Sequence, residues 1–180
     1  MIKIIILNLM NVKEAINLRK SIRKYQDKPI PDEMINELLN AARLAPSAKN
    51  TQSHKYFIVK TKEIKDQLIK HGAFKRPFIN EAPLIIVCCA DPSEYPESAD
   101  VDETPVNYAY IDLSIAASFL VLRATELGLG TVFVAWIYRD KIKELLNIPQ
   151  HYIMPFVIPV GYSAEEPAPK PRKDLKEIII

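Results

Sequence analysis

The sequence predicts an α+β fold in which helices pack on one central sheet. Three observations carry that prediction. Four short apolar runs, residues 56–59, 84–90, 131–137 and 154–160, have strand length and are separated unevenly by helical patterns. Residues 107–127 read as a long helix with apolar side chains on nearly every face, which demands burial all round and suggests a central helix at a subunit interface. The chain has 180 residues, 48% apolar and 26% charged, which is enough for one self-sufficient core. No internal repeat or second domain boundary is visible.

Each element has its own warrant. Residues 1–10 (MIKIIILNLM) are apolar but well short of the ~20 residues a membrane span needs. They lack the small-residue cleavage site of a signal peptide. A single domain is expected over residues 11–180, with 1–10 as an extension; a strand, or a start assigned too early, are the other readings of the first nine residues. Asn11 and Glu14 match a capping box that opens a helix over 12–20. Lys28-Pro29-Ile30-Pro31 breaks the chain. Asp32 is placed to cap a second helix carrying Ile35, Leu38, Leu39 and Ala42, which Pro46 ends.

Residues 47–53 are a polar loop leading to the strand at 56–59. Residues 61–70 form a lysine-rich amphipathic helix, and 73–80 a second short helical stretch. The run 84–90, bounded by Pro83 and Asp91-Pro92, reads as a buried strand. Its adjacent Cys88 and Cys89 point to opposite faces. They read as core thiols in a reducing, cytoplasmic compartment, not as a disulfide or zinc site. Residues 91–105 are proline-rich and acidic, hence a surface loop. Gly128 stops the long helix, a short helix spans 140–146, and Gly161 ends the last strand. The tail closes on Ile178-Ile179-Ile180, three β-branched residues that call for a sheet edge, this chain's own or a partner's.

Composition excludes several chemistries. With 24 basic and 22 acidic residues the net charge is +2, too small for a strong nucleic-acid field. Four glycines leave neither G-x-G-x-x-G nor a phosphate-binding G-x-x-x-x-G-K-[ST]. His54, His71 and His151 are far apart, and neither H-E-x-x-H nor G-x-S-x-G occurs.

Four stretches carry candidate chemistry. Arg19-Lys20-Ser21-Ile22-Arg23-Lys24 places four cations and a hydroxyl at a helix end, a set suited to phosphate oxygens; a solvated charged face is the plain alternative. Ala45-Pro46-Ser47-Ala48-Lys49-Asn50-Thr51-Gln52 offers amides that both donate and accept, as the edge of a flat heterocycle requires; a simple connecting loop also explains it. Gly128-Leu129-Gly130-Thr131 enters Val132-Phe133-Val134-Ala135-Trp136, read either as a core strand or as a backbone wall for an aromatic ring system. Pro169-Lys170-Pro171-Arg172-Lys173 is a basic segment near the end, read otherwise as a disordered tail.

The order of these motifs resembles the nitroreductase family of FMN-dependent oxidoreductases, over roughly Asn11 to Arg172. The resemblance implies a central mixed β-sheet flanked by helices in an interlocked homodimer, with two FMN molecules at the subunit interface. It implies that Arg19, Ser21 and Arg23 hold the phosphate with help from Lys20, and that Lys170 and Arg172 join at the same end. Pro46, Ser47, Ala48 and Asn50 match the segment that reaches the flavin from the other subunit. Phe133, Ala135 and Trp136 match the strand end that backs the ring, where backbone donors approach its N5. The family's carboxyl-terminal arm often wraps the partner, which would give the terminal isoleucines a sheet.

Two departures stand out. Gln52-Ser53-His54 replaces a frequent Gln-Pro-Trp, and Ala135-Trp136 stands where glycine is common. Trp136 either overhangs the site or fills core, and Lys75 is a candidate partner for the ring edge, read otherwise as a plain surface lysine. The implied activity is transfer of electrons from NADH or NADPH through FMN to nitroaromatic, quinone or similar acceptors in ping-pong order. The chemistry is the cofactor's, so no protein catalytic residue and no metal is expected. Neither nucleic acid nor membrane is an expected partner. A flavin carrier or sensor with little turnover, and a nucleic-acid binder using residues 19–24 and 170–173, are the competing readings.

Overall fold

The computed structural model describes residues 10–96 and 104–180. The readings of residues 1–9, and of 97–103 in the acidic loop, lie outside the described residues. Helices α1 (Val12–Leu18), α2 (Asp32–Arg43), α3 (Lys62–Lys70), α4 (Pro105–Glu126) and α5 (Arg139–Leu146) surround strands β1 (His54–Val59), β2 (Leu84–Ala90), β3 (Gly130–Thr131) and β4 (Ile153–Gly161). The sheet order is β1-β2-β4-β3, and every strand pair is antiparallel. The expected mixed sheet is therefore corrected. Its parallel component shrinks to one bridge, Ser21 to Thr131, because the segment after α1 runs beside β3 for a single residue. That segment then pairs antiparallel at Tyr25 with Ser163.

The sheet is covered on both faces, and β2 shows why its sequence is a continuous apolar run. Leu84, Ile86, Cys88 and Ala90 face the core beneath α2 and α4. Ile85, Val87 and Cys89 face the core shared with Leu68 of α3 and Ile142 of α5. Cys88 and Cys89 do point to opposite faces, both as buried free thiols. Burial raises both thiol pKa values, Cys89 to about 12, so neither is a thiolate at neutral pH.

Helix α4 starts with Thr104 accepting from the Asn107 N–H and with Pro105 in its first turn. Its inner face buries Ala109, Leu113, Ala116, Ala117, Leu120 and Ala124. Small residues there let the helix lie close to the sheet. Its outer face leaves Tyr110, Ile111 and Phe119 exposed in the single chain, so burial all round is not achieved by one copy.

Other boundaries differ for local reasons. Helix α1 stops at Leu18 instead of residue 20, because Arg19 turns to extended backbone. Pro31, not Asp32, occupies the cap of α2, and the Asp32 carboxylate pairs with Lys60 at 2.6 Å. The helical stretch expected at 73–80 is a 3₁₀ turn, Pro77–Glu81. The strand expected at 131–137 keeps only Gly130–Thr131 in the ladder, with single bridges at Val134–Val157 and Phe74–Ile137. Pro155 and Pro159 in β4 bring no N–H to a ladder. The Arg139 guanidinium instead takes the carbonyls of Met154, Pro155 and Ala135 at 2.7, 3.0 and 3.3 Å. The tail does not join this chain's sheet. Asp174 and Glu177 form a capping box around a short 3₁₀ turn, and Ile178, Ile179 and Ile180 are exposed.

Candidate functional site

The Arg-x-Ser-x-Arg spacing acquires its meaning from the extended backbone after α1. Alternate residues of an extended chain share a side. Ile22 and Tyr25 are buried, while Arg19, Ser21 and Arg23 line a common cleft. The Ile22 N–H donates to the Thr131 carbonyl at 3.0 Å, and the Tyr25 hydroxyl donates to the Ile22 carbonyl at 2.7 Å. Ile22 lies directly on Gly130, where a Cβ would stand 2.6 Å from Ile22 Cγ1. The glycine thus lets the Ser21–Arg23 backbone approach the sheet.

Residues 165–172 complete this cleft. The Glu165 carboxylate accepts from the Arg23 N–H at 2.5 Å, and the Lys20 ammonium pairs with Glu166. Those two contacts draw the tail back, so that Pro167, Ala168, Pro169, Lys170 and Arg172 face Arg19, Lys20, Ser21 and Arg23 across about 520 Å³. Segments about 150 positions apart therefore bring five cations to one place. Lys20 is already balanced by Glu166. Arg19 and Lys170 have no acidic partner among the described residues.

A second cleft, of about 510 Å³, is lined by Arg23, Arg76, Pro77, Phe78, Val132, Phe133, Val134, Ala135 and Trp136. Arg23 belongs to both clefts, so the basic end of one opens onto the apolar wall of the other. Along that wall Val132 and Val134 point inward, while Phe133, Ala135 and Trp136 are exposed. Trp136 is 54% exposed, which decides against the core-filling reading. The N–H groups of Ala135 and Trp136 donate to nothing among the described residues. Free donors at a concave apolar wall await a ligand acceptor or water.

Arg76 is the residue that sequence reasoning missed. Its guanidinium lies 4.6 Å from the Trp136 ring centre and lines the second cleft. Lys75, the expected ring-edge candidate, does not line it; its ammonium sits over Trp136 and Tyr138 at 5.2 and 4.7 Å. The signal was present in the sequence as a Lys-Arg pair before Pro77, where the proline starts a tight turn.

The third predicted set lies elsewhere. Pro46, Ser47, Ala48 and Asn50 line neither cleft. The 47–52 loop packs beside the first half of α4, where the Ala48 N–H donates to Asp112 at 2.9 Å. His54 also stays out of both clefts. Its ring is 5.7 Å from that of Tyr56, and burial, then the nearby Lys55, lowers its pKa, so it is neutral at pH 7.

Comparison with known proteins identifies the family and the fold. The model of the Nitroreductase family matches residues 16–73 and 70–162. A Methanothermobacter thermautotrophicus protein named NADH dehydrogenase/NAD(P)H nitroreductase is 36% identical over 165 residues, covering 88% of this chain and 80% of its own. A solved nitroreductase family protein from Clostridium difficile 630 superposes with a TM-score of 0.83 at 31% identity, over 95% of this chain and 98% of that one. An FMN-dependent nitroreductase from Clostridium difficile R20291 gives 0.73 at 31%, over 90% and 92%.

Proposed function

This chain belongs to the nitroreductase family, and from that premise we propose that its two joined clefts make it an FMN-dependent NAD(P)H oxidoreductase acting on conjugated acceptors. One observation carries the reading: Arg19, Ser21 and Arg23 meet Lys170 and Arg172 at a cleft that opens, through Arg23, onto the Phe133–Trp136 wall. The residues fit the cofactor. A phosphate dianion needs cations not already spent on carboxylates, and Arg19 and Lys170 meet that need. A flat ring system needs an apolar wall with a few donors, and the unpaired N–H groups of Ala135 and Trp136 supply them.

FMN, when bound, supplies reversible hydride chemistry. The protein's part is to bind and orient. Arg19, Arg23, Lys170 and Arg172 hold the phosphate charge, and Ser21 contributes a hydroxyl donor, while Lys20 ties the tail in place through Glu166. Arg76 adds positive charge to the ring cleft, which favours added electrons. Phe133 and Trp136 form the apolar surface on which a nicotinamide or a flat acceptor is laid. The sequence carries no G-x-G-x-x-G dinucleotide motif, and in this reading donor and acceptor use the one open face in turn.

In this reading the enzyme is a cytoplasmic homodimer, and Pro46, Ser47, Ala48 and Asn50 reach the cofactor of the other subunit. Their absence from both clefts of their own chain supports that arrangement. Nitroaromatics and quinones are the acceptors proposed. The test is steady-state kinetics on the FMN-loaded protein, with NADH or NADPH varied at several fixed acceptor levels. Parallel double-reciprocal lines, with acceptor competing against nicotinamide, are expected. Intersecting lines would refute the shared face, and FMN binding without turnover on any acceptor would establish a flavin carrier instead.

A further inference from the structure

The segment between α2 and β1 is conformationally expensive. Lys49, Asn50 and Gln52 have φ of 53°, 56° and 55°, in the left-handed region that L-residues avoid. Among the described residues only one other non-glycine residue, Asn147, does the same, and it caps a helix. Three such residues within four positions persist only where the surroundings hold them.

One buried carboxylate anchors them to the rest of the fold. Asp112 sits on the inner face of α4 among alanines and leucines, 4% exposed. Its Oδ2 accepts from the Ala48 N–H at 2.9 Å and from the Tyr95 hydroxyl at 2.5 Å. Tyr95 OH accepts in turn from Ser53 Oγ at 3.0 Å. Ala48 directly precedes the strained stretch and Ser53 follows it, so one end is tied to Asp112 Oδ2 itself and the other to it through the Tyr95 hydroxyl. Inside the loop, Ser47 Oγ accepts from the Gln52 N–H at 3.0 Å, and the Asn50 N–H reaches the Ser47 carbonyl at 2.9 Å. The Asn50 side chain is turned outward and bonds nothing among the described residues. A carboxylate buried in an apolar helix is costly unless it does something for its partners. Here it fixes the backbone that presents Asn50.

We propose that Asp112 and Tyr95 are positioning residues for the flavin site, holding the 47–52 loop in its strained form so that Asn50 meets the cofactor already oriented. The proposal rests on the reading that this loop reaches FMN. Its test is a double-mutant cycle read as the FMN dissociation constant of the intact protein, measured by quenching of flavin fluorescence. Asn50→Ala is expected to weaken FMN by ~10-fold and Asp112→Asn by ~5-fold, the scale of one lost hydrogen bond. If Asp112 acts through Asn50, the double variant binds no more than ~2-fold worse than Asn50→Ala alone, whereas independent losses would multiply to ~50-fold.

Tyr95→Phe repeats the cycle with a gentler change and replaces Asp112→Asn should that variant fail to fold. Multiplying losses would mean a general loosening of the fold and overturn the proposal. So would unchanged FMN affinity in Asp112→Asn and Tyr95→Phe alongside a loss in Asn50→Ala. Unchanged affinity in Asn50→Ala itself would remove the underlying reading that the loop touches FMN.

Discussion

Arg23 is the residue at which the two clefts meet, and Arg23→Ala isolates what that position contributes. The guanidinium is exposed, and its one intramolecular bond among the described residues is a long 3.3 Å contact from Nη1 to the Ser21 carbonyl. Its removal therefore leaves stability nearly unchanged, within ~0.5 kcal/mol. A charge-assisted bond to phosphate is worth ~1.5–3 kcal/mol, so FMN affinity should fall ~10- to 150-fold. Riboflavin, which lacks the phosphate, provides the control. Its weaker binding should change less than ~3-fold in the same variant, because only exposed side-chain packing is lost. Lys20→Ala provides the second contrast. That ammonium is already offset by Glu166 in an exposed pair, and the Arg23 N–H bond to Glu165 still holds the tail, so the effect on FMN should stay below ~3-fold. Titration of apoprotein at two salt concentrations reads all three, with the Arg23 effect shrinking as salt rises. Equal losses for FMN and riboflavin, or a larger loss in Lys20→Ala than in Arg23→Ala, would show that the phosphate is not held in this cleft.

Gly130→Ala puts a Cβ at 2.6 and 2.8 Å from Ile22 Cγ1 and Cβ, and the contact with Cβ is one that no rotamer change can clear. A loss of ~1–3 kcal/mol in denaturant unfolding is expected, together with weaker FMN binding, since Ile22 joins Ser21 to Arg23. Gly128→Ala meets no atom within 4 Å but forces φ +74° on alanine, so it should cost stability and leave FMN affinity alone. Cys88 and Cys89 should resist a thiol reagent at pH 8 in the folded protein and react on unfolding. The Cys89 pKa, raised from 9.0 to about 12, means the folded state keeps a proton that the unfolded chain has released; that stabilisation is complete below pH 9 and is lost as pH climbs toward 12, visible as a falling Tm. Sedimentation at micromolar concentration should show a dimer, with an interface above ~2,000 Å²; a stable, FMN-loaded monomer would contradict it.

How much of this was legible in the sequence varies by element. The run 84–90 was read to the residue, because a strand covered on both faces needs no alternation. The 131–137 segment was misread as one strand, yet its pattern carried the correction. Val132 and Val134 are two apart and Ile137 is three further on, so Ala135 and Trp136 both face outward and the ladder breaks there. The Arg19, Ser21, Arg23 set was found, but assigned to a helix end. The chain leaves the helix at Arg19 and runs extended through Ser21, with Ile22 turned into the core, and that places all three residues at one cleft together with Lys20. Asp112 escaped notice because the helix around it was weighed by its apolar residues. One acid amid them was the signal, since such a charge survives burial only with donors to satisfy it. The donors themselves could not be read from sequence, because the Ala48 N–H and the Tyr95 hydroxyl reach the carboxylate from loops 64 and 17 positions away.

The remaining gap concerns surfaces that one copy of the chain leaves unfinished. Val12 on α1 and Phe119 on α4 flank an apolar cleft of about 560 Å³ that also involves Ala15, Ala41 and Leu122. Val106, Tyr110 and Ile111 extend the exposed face of α4 toward the half that carries Asp112. Leu175 and Ile178 to Ile180 project with no cover of their own. Apolar groups in these numbers favour association over hydration. The strained loop is tied to this same half of α4 through Asp112, and Asn50 points outward from it. A second copy docked on α4 would bury the apolar face and receive Asn50 by one contact. The carboxylate inside the helix would then set the loop on the inner side while the exposed apolar residues seat the partner on the outer. On that account the long helix has a reason to be apolar all round, with one copy supplying half of its burial.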